Sequence, residues 1–129
     1  MIVVENKKEL KKLIIQRIKE QGPNCDLNDI DVSRVKDMSS LFYTSNFNGD
    51  ISKWDVSNVM DMEKMFHSSR FNGDISKWNV GNVANMSCMF AYSNFNNDIS
   101  KWDMSNVEDM SSMFEGSIFN SDKIGRAHV

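Results

Sequence analysis

The phrase FNGDISKWDVSNV begins at Phe47, FNGDISKWNVGNV at Phe71 and FNNDISKWDMSNV at Phe95. The step is 24 residues each time, with nothing inserted or deleted. A repeat of this length is one small unit that has to bury its apolar face against its neighbours, so it limits the fold more than any other feature of the chain. Cutting at the aspartates gives four units, beginning at Asp26, Asp50, Asp74 and Asp98.

Eight positions are apolar in all four units; in the second they are Ile51, Trp54, Val56, Val59, Met62, Met65, Phe66 and Phe71. Their spacing fits no single helical or strand period. Trp54 and Val56, two apart, suit one face of a short strand. Met62, Met65 and Phe66, at i, i+3 and i+4, suit one face of a short helix. Asn58 marks a turn between them. Like strands of successive units would then align as a parallel sheet, and the repeated layers would form one continuous core.

The spacing I-x-x-W-x-V-x-x-V resembles the leucine-rich-repeat core, and the 24-residue length falls in that class. The fuller phrase FNGDISKWDVSNV…DM…MF resembles the BspA-like leucine-rich repeat surface proteins, also known for the PARCEL module, over about residues 26–122. The resemblance implies a right-handed solenoid, no enzyme activity and, in many members, a bacterial cell-surface location. The expected fold is therefore an α+β, leucine-rich-repeat-like stack of four coils with one short parallel strand and one short helix each. An N-terminal capping-helix segment over residues 1–25 precedes the repeats at 26–122.

Residues 6–21 read as that helix. Asn6 is placed to cap it and Glu9 to close a capping box, while Gly22 and Pro23 end it. Leu10, Leu13, Ile14 and Ile18 form its apolar stripe, opposite Lys8, Lys12 and Lys19. At the other end, KIGRAHV matches nothing upstream and is what read-through of a sequencing-library adapter would encode, so residues 123–129 are expected to be a non-native tail. The last unit would then lack a cap, and self-association through that end is expected.

Charge and composition narrow the partners. Residues 26–121 carry seven Lys/Arg against fourteen Asp/Glu, a balance of −7, which repels phosphate backbones and argues against nucleic acid. The sequence contains no run of apolar residues long enough for a transmembrane segment. The N-terminus MIVVENKKEL does not read as an export signal, which makes the cytoplasm the default location.

No catalytic constellation emerges. His67 stands where the other units have Tyr43, Ala91 and Glu115, a variable and solvated place, and a Cys88–His67 pair would lack an orienting third group. Cys25 and Cys88 are too few for zinc and read as free thiols. Asp50, Asp74 and Asp98, each two residues after Asn48, Asn72 or Asn96, suit stacked turns better than a glycine-rich calcium loop. No cofactor is expected. Trp54, Trp78 and Trp102 interchange with Ile30 and read as core, and the methionines as core filler. What remains is a polar comb on the expected open sheet face: Ser52, Lys53 and Asp55, then Ser76, Lys77 and Asn79, then Ser100, Lys101 and Asp103. The expected function is a non-catalytic module that binds a protein or a glycan or other surface polymer through this comb. The alternative is a structural spacer or adhesin segment.

Overall fold

The computed structural model describes residues 1–124 and 126–127. Helix α1 (Lys7–Gln21) starts where the sequence indicates. The Asn6 side chain accepts the Glu9 N–H at 3.0 Å, while the Glu9 carboxylate reaches one residue further back, to the Glu5 N–H at 2.9 Å. Gly22, at φ 90°, ends the helix with its N–H on the Ile18 carbonyl. Leu10 and Ile14 are buried, and Leu13 and Ile18 pack beside them against the core. Ahead of α1, strand β1 (Ile2–Val3) pairs in parallel with β2 (Ile30–Asp31) in the first unit.

The expected right-handed leucine-rich-repeat-like solenoid, four coils each with a strand and a helix, is not what the chain forms. Among the described residues α1 is the one α-helix, and it lies outside the repeats. Besides β1 and β2 there is one further two-stranded parallel pair, β3 (Asp103–Met104) with β4 (Arg126–Ala127). No sheet runs through the units; isolated bridges join Asp26 to Asp50, Asp37 to Asp61, Asp61 to Asn85 and Asn85 to Asp109.

The backbone shows why the helical reading fails. A helix sends every N–H to the carbonyl four residues back. Here the N–H groups of Met65, His67 and Ser69 go only three back, to Met62, Lys64 and Phe66. Those of Met62, Lys64, Phe66 and Ser68 leave the unit and donate to Asn85, Ser87, Met89 and Ala91 in the next. Lys64 and Ser68 both sit at φ 56°, in the left-handed region, and Ser40, Thr44, Cys88, Tyr92 and Ser112 repeat this in the other units. A left-handed residue after each right-handed turn stops the helix from propagating. It costs about 1–2 kcal/mol per non-glycine residue, offset by the inter-unit hydrogen bonds it releases.

Turns also replace the strands. Asp50 Oδ1 accepts the Ser52 N–H, Asp55 the Ser57 N–H and Asp61 the Glu63 N–H, while Ser69 Oγ accepts the Phe71 N–H. Short polar side chains are bonding the backbone two residues on, the usual way such residues stabilise turns. Gly49 is required by close approach, since a Cβ there would lie 1.8 Å from the Cys25 carbonyl oxygen.

All eight apolar positions of the second unit are buried. They align with their counterparts 24 residues away. Phe42, Phe66, Phe90 and Phe114 stack with ring centroids 5.5, 5.5 and 5.6 Å apart. Trp54, Trp78 and Trp102 stack at 6.4 Å, and their indole N–H groups donate to the Leu27, Ile51 and Ile75 carbonyls of the preceding unit. The repeat is thus written in aromatic columns and turns rather than in strands and helices.

Candidate binding face

The polar comb does not lie on a sheet. Ser52 and Lys53 occupy a turn held by Asp50, and Asp55 opens the next turn, with buried Trp54 between them. Ser76, Lys77 and Asn79 repeat this geometry, with Asn79 Oδ1 accepting the Gly81 N–H. Ser100 and Lys101 follow Asp98 in the same way. Asp103, the first residue of β3, accepts the Ser105 N–H. Lys53, Lys77, Lys101, Asp55, Asn79, Asp103 and Ser100 are exposed, and Ser52 and Ser76 are half-buried. The result is a line of lysines and a line of Asp/Asn residues, flanking the buried tryptophan column.

These two lines differ chemically. The Asp55, Asn79 and Asp103 oxygens are engaged in their own turns. The lysine line takes no part in the ion pairs Lys7–Asp37, Arg17–Asp29 and Arg34–Glu5, although Lys53, Lys77 and Lys101 each act electrostatically on a nearby carboxylate, Asp50, Asp74 and Asp98. Ser52, Lys53, Asp74 and Lys77 line a recess of about 160 Å³ between two units. The carboxylates behind the lysines are held in their charged form. A bond from the Asn28 side chain holds Asp50 below the ordinary 3.8. The Ser76 hydroxyl and N–H do the same for Asp74, and the Ser100 N–H and hydroxyl for Asp98. A face of cationic donors on rigid turns can hold acceptor groups; it offers no base–nucleophile pair.

The residues weighed for chemistry scatter. His67 is half-buried, not solvated. Its Nδ1 lies 2.8 Å from Ser68 Oγ, and its ring sits between Tyr43 and Tyr92 at 5.1 and 5.6 Å. Burial raises the Cys25 thiol pKa. Asn48 and Asn72 use their side chains to accept the Asn72 and Asn96 N–H groups, one unit on. Among the described residues no three His, Cys, Asp or Glu side chains gather as a metal ion would need. His128 and the two other tail residues Gly125 and Val129 lie outside the described residues. No described helix is long and apolar enough to cross a membrane.

The sequence reading did not single out Lys7 and Lys11. Lys7 Nζ donates to the Ser39 carbonyl at 3.2 Å and to its hydroxyl at 2.9 Å, and Lys11 Nζ donates to the Leu41 carbonyl. Their step of four, on the side of α1 that meets the first unit, was the available signal.

Residues 9–126 match the family described as "Mycoplasma protein of unknown function, DUF285". No curated protein and no solved structure matches the chain.

Proposed function

Starting from a chain that belongs to the DUF285 family of Mycoplasma proteins of unknown function, we propose that it is a non-catalytic binding module whose lysine line engages a protein or a surface polymer. The observation that carries this reading is the recurrence of Lys53, Lys77 and Lys101. They are exposed, without ion pairs among the described residues, and set one per unit on turns fixed by Asp50, Asp74 and Asp98. The turns fix where each lysine leaves the backbone, ordering each side chain costs about 0.5–1.5 kcal/mol, and a regular line suits a ligand whose acceptors also recur. The likeness of the repeat phrase to BspA-like surface repeats supports the same reading and favours a ligand at a cell surface. The test is an array of polysaccharides and extracellular-matrix proteins, probed with the chain and with the triple variant Lys53→Glu, Lys77→Glu, Lys101→Glu. We expect retention on one acceptor-rich class, weakened at high salt and lost in the variant. A blank array, or equal retention of both proteins, would overturn the proposal.

A further inference from the structure

We propose that this chain assembles head to tail, with the last unit of one copy seated in a basic groove on α1 of the next. This rests on different surfaces from the lysine line. The groove, about 530 Å³, lies between α1 and the first unit and is lined by Lys7, Lys8, Lys11, Lys12, Ile15 and Leu41. Ile15 is 56% exposed, away from the buried Leu10 and Ile14. Lys8 and Lys12 are exposed and have no ion pair among the described residues.

The last unit carries the complement. Ile118 is 69% exposed, Phe114 and Phe119 beside it in sequence are only partly buried, and Glu108, Asp109 and Glu115 are exposed. Residues 5–20 hold six Lys/Arg and three Glu, a balance of +3, whereas residues 98–121 hold one Lys and five Asp/Glu, a balance of −4. The phenylalanine column runs from Phe42 to Phe114, so the two surfaces occupy opposite ends and one copy cannot satisfy both alone.

A second copy is the occupant that the charges select. Like ends repel, lysines against lysines or carboxylates against carboxylates, whereas unlike ends attract and bring an apolar residue to each side. A contact between two different surfaces does not close on itself by a two-fold axis, so it leads to rings or open chains of copies.

Sedimentation of the full chain at low ionic strength tests this. The average mass should rise above the monomer's 14.8 kDa with concentration, and fall back in about 0.5 M salt, where charges are screened within a few ångströms. Ile15→Asp disables only the groove and Ile118→Asp only the knob, so each variant alone should stay monomeric. Mixed, they should form a species of twice the monomer mass and nothing larger. The charge-reversed variants K8E/K12E and E108K/E115K repeat the test without touching an apolar contact, should either aspartate variant fail to fold. A parent chain that is monomeric at every concentration would overturn the proposal. So would pairing of the groove variants alone, which means tail to tail, or of the knob variants alone, which means head to head.

Discussion

The two ends of the molecule are finished differently. At the N-terminal end, α1 lies against the first unit, and Lys7 and Lys11 place ammonium donors on the Ser39 and Leu41 carbonyls. Those carbonyls occupy the places whose counterparts one unit on, Glu63 and Met65, accept from Ser40 and Phe42. At the C-terminal end the described residues of the tail supply β4, which pairs with β3, and Lys123, whose Nζ donates to the Asn96 carbonyl at 2.8 Å. The N–H groups of Met110, Ser112, Phe114 and Gly116, equivalent to four that cross between units elsewhere, have no acceptor among the described residues. Along this segment the bonds run to the following unit, whereas the Met60, Ala84 and Glu108 N–H groups donate back to Lys36, Met60 and Ala84 in the preceding one; here, then, one end of the array presents carbonyls and the other presents N–H groups. Two flexible lysines on a helix can satisfy carbonyls. Spaced N–H groups require a matching row of acceptors, which is harder to supply.

The first way to break this comparison is to hollow the same column in its middle and at its end. Phe90 is fully buried between Phe66 and Phe114, and Phe90→Ala should cost about 3–5 kcal/mol. Phe114 is only partly buried, and Phe114→Ala should cost roughly half as much. Equal losses in chemical denaturation would mean that the last unit is as well covered as the third.

Removing the lysines that seal the other end should have the next largest effect. Lys7→Ala with Lys11→Ala strips two carbonyls of charged donors and should cost about 1–3 kcal/mol, discounted for the partial exposure of Lys7. Burial already lowers the Lys11 pKa, so part of its bond offsets its own desolvation. Melting curves unchanged by the double variant would show that α1 holds on without help from these two lysines.

Acid should sharpen the contrast between the turns and the N-terminal seal. The Arg17 side chain holds the Asp29 carboxyl below its ordinary 3.8, as the Asn28 side chain does for Asp50 and the Ser76 turn donors do for Asp74. Groups with depressed native values stabilise fully above the unfolded value and lose that contribution as pH falls through the native one. The melting temperature should therefore be flat above about pH 5 and decline below about pH 4. Added salt should weaken the Arg17–Asp29 part more than the turn part, because hydrogen bonds to the backbone are screened less. A melting temperature that rises on acidification would contradict the assignment.

The smallest effect expected is a gain. Lys64 is exposed and left-handed, and the fourth unit carries Gly116 at φ 65° in the related place four residues later. Lys64→Gly should stabilise by up to about 1 kcal/mol through relief of the Cβ clash. A loss of stability in thermal melts would mean that the side chain contributes more than its backbone costs.

The sequence disclosed the core better than the path of the chain. Trp54, Val56, Met62 and Phe66 are inside, as a position that stays apolar in every unit demands, and α1 begins and ends at Asn6 and Gly22. The strand and helix readings failed because period and conformation are separable. Met62, Met65 and Phe66 have helical spacing, yet the backbone between them reverses hand at Lys64, a residue type that gives no warning of a positive φ. Asp50 was legible as a turn residue, but Asp55, read on a sheet face, and Asp61 were not, and neither was the absence of any strand between their turns. The lysine line was visible by its recurrence. That its aspartate neighbours are engaged in turns depends on hydrogen bonds that only the structure shows.

The central claim is that units are joined by alternate N–H groups donated to the following unit, and that the last unit lacks this. Amide hydrogen exchange measures it residue by residue. Phe66 and Phe90 should be protected close to the limit set by global unfolding, together with Lys64 and Cys88. Phe114 and Ser112, at the equivalent places, should exchange several orders of magnitude faster in dilute, high-salt solution, where copies are apart. Protection of Phe114 equal to that of Phe90 under those conditions would contradict the account, as would rapid exchange at Phe66.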